Sequence, residues 1–381
     1  TSMRNRFTHL RRDERGMSFV FVGMGFMGFL AATTLAIDVG MIMTAKTQAQ
    51  SAADAGALAG AVGLVYNSFT DRTPTGPAVQ GALGAARANQ VMNQQVSVAA
   101  GDVTFPLDPA GQANRVRVQV FRSAMRGNPL ATLIGPIFGI NNADITAVAT
   151  AEAAPTNAAT CVFPFTIPDK WIERQTPAWD PNDTFNAFPA NPSLQPDVYR
   201  PADDPAATGY RPSTDVGTVL TLKASTGTNI APSMYFALAL PGSSGASDYE
   251  WNIANCNTSV LHWSDLMVLE PGNMVGPTKQ GIEELIAQDP GAYWDGTKVV
   301  STQQPSPRVK LVPLFDPYYW NVGKMNGRPA DLKAANFLGF FIEGMQGNDV
   351  RGRIVPASAL LDSSAGPAPM NSFTKAIRLV E

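Results

Sequence analysis

Met17 to Ile37 reads MSFVFVGMGFMGFLAATTLAI, a run without a single charged residue. At 1.5 Å per residue, a helix of about 20 such residues reaches roughly 30 Å, the thickness of a bilayer's hydrocarbon core. Arg4, Arg6, Arg11, Arg12 and Arg15 precede the run, and the first basic residue after it is Lys46. The asymmetry predicts residues 1–16 as a cytoplasmic basic tail, 17–37 as a transmembrane helix, and the rest of the chain on the far side. The rival reading is a cleaved secretory signal. Such a signal has an apolar region of only about 7–15 residues and ends at a small-x-small site. Gly23, Gly25 and Gly28 lie inside the run but do not form a clean G-x-x-x-G, so they define no dimer face.

Composition narrows what the remainder can do. The chain has 381 residues, enough for two to three domains. Its formal net charge of −3 argues against a sequence-independent grip on nucleic acid. Two histidines and two cysteines leave little for a zinc site, an iron–sulfur cluster or a histidine-based catalytic centre. No cofactor or metal is expected.

Lys46 to Leu64 (KTQAQSAADAGALAGAVGL) is dominated by alanine, the best helix former. Ala49, Ala52, Gly56 and Gly60 fall on one side at near-helical spacing, beside Ala53, Ala57 and Ala61. A face this small lets another backbone come close. Each mid-helix glycine costs about 1 kcal/mol against alanine, so several together imply a packing demand. Gly56 and Gly60 are the candidate packing positions. Asp54, the only acid of this stretch, is either solvated or paired with a neighbouring element.

Arg15-Gly16, the apolar run, Ile37-Asp38-Val39-Gly40 and then QAQSAADAGALAGA over 48–61 together resemble the amino-terminal segment of TadG-like Flp pilus-assembly proteins. The family pattern is an arginine-glycine start, a membrane helix, an aspartate-x-glycine exit and an alanine-rich helix. Here Ala49 stands for the family's leucine and Gly56 for an alanine. The resemblance implies an inner-membrane protein of a tight-adherence (Flp, type IVb-like) pilus system, with its bulk in the periplasm and other pilus subunits as partners. Asp38 then marks the membrane exit. Some relatives are cleaved after a glycine by a prepilin peptidase. Gly16 is the candidate, but the fifth residue after it is Phe21 instead of the family's glutamate.

Beyond the helix, Pro77 to Gln95 is alanine-rich and predicted helical, with Pro77 suited to the first turn, and 95–105 is β-prone. In Asn114 to Phe121 (NRVRVQVF), Val116, Val118 and Val120 alternate with polar residues, a strand with one buried face. An apolar stretch over 130–140 is broken by Gly135-Pro136, and 144–153 is strand-like. This order suits a small α/β layer within residues 38–153. From 154 to 381 the texture is proline-rich and mainly β. An irregular loop region covers 176–216, strands are predicted at 218–224, 234–240, 308–315 and 336–343, and a short helix at 280–288. A segment over 350–357 closes the unit. The fold class is therefore α+β: an anchoring helix continuing into a small-residue helix, a small α/β layer, and a proline-rich, mainly β unit.

Cys161 and Cys256 are the only cysteines. In an oxidising compartment an even count suggests a disulfide. Two buried thiols are the alternative.

Catalytic patterns are absent. Gly272 to Lys279 lacks the order of a phosphate-binding loop and reads as a turn. His262 stands alone beside Trp263. Glu283 and Glu284 are adjacent on a helix and face differently. Asp180, Asn182 and Asp183 lack the glycine and terminal glutamate of a calcium loop. Leu361-Asp-Ser-Ser-Ala365 lacks the further serine of a von Willebrand-type metal site. The expected function is a non-enzymatic, membrane-anchored component that scaffolds pilus assembly, with homo-oligomerisation open. A minor pilin is the alternative, and a periplasmic hydrolase would need a polar cluster the sequence does not present.

Overall fold

The computed structural model describes residues 15–67, 70–109, 111–175, 180, 182–225, 229–303, 305–325 and 332–380. The arginines at 4, 6, 11 and 12 and His9 lie outside the described residues, as do 176–179 and 181 of the proline-rich stretch. The chain divides into two compact units. The first holds residues up to Gly56 with Ala82–Val103 and Arg117–Ala149, and the second holds Ala57–Gly81, Thr104–Val116 and the chain from Thr150 onward.

Helix α1 runs unbroken over Arg15–Tyr66. Nothing in its sequence stops it: no proline lies within it, and Asp38-Val39-Gly40 is absorbed in mid-helix. Its threonine hydroxyls bond back to carbonyls one turn earlier, Thr33 to Phe29 at 2.6 Å and Thr44 to Gly40 at 2.9 Å. Each hydroxyl is thereby satisfied without water.

In the first unit, α1 is exposed through most of its amino-terminal half and buries Ala45, Ala49, Ala52 and Ala53 thereafter. Helix α2 (Pro77–Ala88) starts with proline at a first-turn position, where the missing N–H costs nothing; it ends short of the predicted Gln95, because Gln90–Val91 turns back to pair antiparallel with Gln94–Gln95. Strand β1 (Arg115–Arg122) buries Val116, Val118 and Val120, the alternation read from the sequence. The β-prone segment 95–105 carries a bridge from Ser97 to Phe121 and a strand at Val103–Thr104, interrupted by a 3-10 turn at Ala100–Asp102 that is closed by a hydrogen bond from the Ala99 N–H to the Asp102 carboxylate at 2.8 Å. Leu130–Ala131 pairs antiparallel with Asn142–Ala143, and a 3-10 turn, Gly135–Phe138, caps this hairpin. Strand β2 (Ile145–Pro155) follows.

The second unit contains the main sheet. Its strands are β3 (Phe165–Pro168), β4 (Val219–Ala224), β5 (Met234–Ala239), β6 (Leu266–Leu269), β7 (Val309–Phe315), β8 (Leu332–Gln346) and β9 (Asp349–Val355). Pairings run β8–β9–β4–β5–β3–β7 and return from β7 to β8, so six strands close a ring; β6 also pairs with β5 and β8. Closure leaves few free strand edges. Alternate residues sort into two cores. Phe165, Ile167, Leu220, Leu222, Leu338 and Phe340 belong to one, with Tyr249 and Ile253 of helix α3 (Ala246–Ala254) and Ile282 and Leu285 of helix α4 (Val275–Gln288). Phe236, Leu238, Leu311, Phe315 and Phe337 belong to the other, with Trp320 of helix α5 (Pro317–Met325). The chain does not close at 350–357: strand β10 (Lys375–Leu379) follows and pairs with Ala151–Pro155 of β2.

Buried carboxylates order much of the proline-rich region, where regular backbone pairing is scarce. Asp169 accepts from the amides of Lys170 (2.9 Å) and Tyr210 (3.1 Å) and from the Tyr199 hydroxyl (3.1 Å). Asp197 accepts from the amides of Arg174 and Asn186, and Asp215 from the Arg211 amide and the Lys170 ammonium. Burial pushes the carboxyls of Asp169 and Asp197 up to about 6.

Candidate membrane anchor and packing surface

Helix α1 changes character along its length. Its most apolar 18-residue stretch has a mean hydropathy of 2.0 and no buried residue, so by length and composition it can cross a membrane. Phe19, Phe21, Val22, Phe26 and Phe29 all stand outward. Gly23, Gly25 and Gly28 have open space around them. Gly16 lies in the helix's first turn.

Asp38 stands one residue past the uncharged run, and its side chain is buried. Three consecutive amides converge on its carboxylate: Leu133 at 2.9 Å, Ile134 at 3.0 Å and Gly135 at 2.7 Å. Bonds from N–H groups to a charged acceptor are roughly twice as strong as neutral ones. The aspartate that reads as a membrane exit is therefore also the acceptor that holds the 130–143 hairpin to α1. The second partner was not legible, because it lies 95 residues downstream at its nearest.

The small-residue face of α1 is occupied by this chain's own helix α2. In the first unit, a Cβ on Gly56 would come within 3.1 Å of the Ala86 Cβ and 3.2 Å of both the Ala82 carbonyl and Val118 Cγ1. In the second unit, Gly63 is tighter, with Ala78 Cα and the Pro77 carbonyl 2.7 Å from where its Cβ would be. Gly60 is buried on the same face. Asp54 is half-buried and accepts from Gln50 Nε2 of its own helix at 2.8 Å.

Two glutamines passed over in the sequence position this helix as well. Gln50 Nε2 donates to the Val148 carbonyl at 3.0 Å. Gln48 Oε1 accepts from the Met92 N–H at 2.8 Å. Met92 and Asn93 form a tight reversal with positive φ, 50° and 62°, a conformation that L residues adopt at a cost. The available signal was two amides within an otherwise small-residue helix. Arg122, buried, donates to the carbonyls of Val91, Asn128 and Pro129 and so braces this reversal and the start of the 130–143 hairpin.

In the second unit Cys161 and Cys256 form a disulfide with Cα atoms 4.4 Å apart. It joins the segment before β3 to the residues just after α3. Burial pushes the Lys310 ammonium down to about 7. Carbonyls of Asn252 (2.9 Å), Ile253 (3.0 Å) and Asn255 at the end of α3 accept from it, which favours the charged form.

The polar motifs weighed as chemistry resolve into local structure. His262 Nε2 stands 3.1 Å from Asp362 and Nδ1 stands 3.5 Å from Asp265. The Ser364 hydroxyl and amide, with His262, hold the Asp362 carboxyl down to about 2. Asp180 and Asp183 accept amides of their own turn. The turn reading of 272–279 is corrected: α4 begins at Val275, so Lys279 is helical and faces Glu283 at 4.0 Å. Glu283 and Glu284 lie farther along the same helix. Among the described residues, no group of three or more His, Cys, Asp or Glu could hold a metal ion.

Comparison with known proteins finds a match over residues 16–63 to the Tad family, described as Flp pilus-assembly TadE/G-like. No curated protein and no solved structure matches the chain. The matched span covers the exposed apolar half of α1, Asp38, the two glutamines and the small-residue face. Residues 16–63 of this chain are therefore similar to a TadE/G-like Flp pilus-assembly segment.

Proposed function

We propose that the chain is a non-enzymatic, bitopic inner-membrane component of a Tad/Flp pilus-assembly system. Its arginine-rich start faces the cytoplasm, and its α/β and β-rich body stands in the periplasm and scaffolds other pilus proteins. One observation carries this reading. The family match coincides with a single unbroken helix that is apolar and exposed at one end and packed among the chain's own small residues at the other. A helix of this form joins an apolar, exposed end to a packed one within one element. The disulfide accords with an oxidising compartment.

The test is a fractionation. Carbonate-washed membranes and mechanically sheared surface filaments are immunoblotted side by side, and intact spheroplasts are treated with protease. Intact chain confined to membranes, with its body digested from outside, is the expected result. A form lacking about the first 16 residues and found in filaments would replace this reading with a minor pilin cleaved after Gly16. A body protected from external protease would refute the orientation.

A further inference from the structure

We propose that the hairpin over residues 130–143 is a second membrane-contacting element, which places Leu133, Ile137 and Ile140 in the lipid interface beside the anchor helix. The inference rests on the reading of 17–37 as a membrane span and adds a lipid-binding surface outside that span.

Depth is the first argument. The amides of Leu133, Ile134 and Gly135 are bonded to Asp38, one residue beyond the uncharged run. With the helix in a bilayer, this turn lies at the hydrocarbon boundary and cannot drift from it without breaking three bonds to a carboxylate. Surface chemistry is the second. Leu133 is 67% exposed, Ile137 77% and Ile140 58%. Single exposed apolar residues are ordinary, but three large ones on one short hairpin form a patch that water disfavours. Charge is the third. Residues 127–143 contain no charged side chain, while Arg126 and Asp144 flank them. An uncharged run can enter the interface without taking an ionised side chain out of water.

A cleft of about 450 Å³ completes the surface. Ala31, Leu35, Val39 and Ile42 of α1 form one wall, and Ile134 and Ile140 contribute to the other. At 1.5 Å per residue, Ala31 lies roughly 10 Å along the helix from Asp38, inside the span. The walls therefore reach hydrocarbon depth, and an acyl chain is the occupant matched to their apolarity.

The experiment uses full-length chain with its disulfide intact, reconstituted in vesicles of phosphatidylethanolamine and phosphatidylglycerol. Nitroxide labels are placed singly at Ile137→Cys, Leu133→Cys, Phe26→Cys in the span, and Ser51→Cys on the exposed side of α1 beyond Asp38. Collision rates with oxygen and with a water-soluble nickel chelate are compared. Expected is an oxygen-to-nickel ratio at Ile137 and Leu133 several-fold above that at Ser51, at a shallower depth than Phe26. A Ser51-like ratio at both hairpin sites, with Phe26 still in lipid, would overturn the proposal and leave the span intact. Hairpin labels shielded from both reagents would also overturn it, assigning the patch to a second copy or a partner protein. A Ser51-like ratio at Phe26 would remove the span and the proposal together.

Discussion

Alanine substituted for glycine should change stability in opposite directions at two helical positions, Gly63 of α1 and Gly84 of α2. At Gly63 a Cβ would stand 2.7 Å from Ala78 Cα and the Pro77 carbonyl and 2.8 Å from the Ala78 nitrogen. Ordinary contact between such atoms is about 3.5–4 Å, so the backbones must part by roughly 1 Å. All three atoms are main chain, and no rotamer change can absorb the strain. Overpacking of this kind costs about 1–3 kcal/mol, against a gain of about 1 kcal/mol from alanine's helix propensity. Gly63→Ala should therefore lose up to about 2 kcal/mol. Gly84 is exposed in α2 with nothing near its absent Cβ, so Gly84→Ala should gain up to about 1 kcal/mol. Gly56→Ala, with neighbours at 3.1–3.2 Å, should fall between them. Thermal unfolding in detergent, followed by tryptophan fluorescence and circular dichroism, reads the order as shifts of about 2–4 °C per kcal/mol. Midpoints are compared transition by transition, because two units need not melt together. Gly63→Ala melting at or above the parent would refute the close approach of the two backbones.

Two further outcomes follow from the second unit. Asp169 is fully buried and titrates near 6, above the unfolded carboxyl near 4, so the folded chain holds an extra proton between those values. Its contribution to stability should fall as pH rises from about 4 to 6 and level off above, on the order of 2–3 kcal/mol in all. Because Asp197 is pushed into the same range, Asp169→Asn should lessen but not abolish the slope of urea midpoints across that window, and an unchanged slope would locate the titration elsewhere. Cys161→Ser with Cys256→Ser opens a loop with a sequence separation of 95 residues. In the chain-entropy model this costs about 4–5 kcal/mol, seen as a lower urea midpoint that matches the reduced parent; an unchanged midpoint would show that the bridge constrains nothing.

Local chemistry wrote much of this architecture into the sequence. An uncharged run sets the exposed half of α1, alanine and the absence of proline carry the helix on to Tyr66, and alternating valines define β1. These signals depend on neighbours within a few residues, which is why they are legible one segment at a time. Among the described residues of 176–216 the backbone is irregular apart from one helical turn at Pro212–Asp215, because its prolines lack the amide donors of regular pairing. Which groups would replace those donors was not visible. Asp169 meets Tyr210, and Asp197 meets Arg174, only after the chain has folded back on itself.

The sequence by itself determined an apolar helix long enough to cross a membrane, the small-residue face, the alternation of single strands and the α+β class. Tertiary structure alone decided what each of these meets. Gly56 meets Ala82 and Ala86 of the same chain, Asp38 meets three amides 95 to 97 residues away, and β10 returns to β2 after more than 200 residues. It also decided that six strands close a ring, through two short parallel pairings, β4 with β5 and β3 with β7. The physical reason is the same throughout. Periodicity and propensity report which side of an element is apolar, but the partner of that side is fixed by the free energy of the whole packed chain.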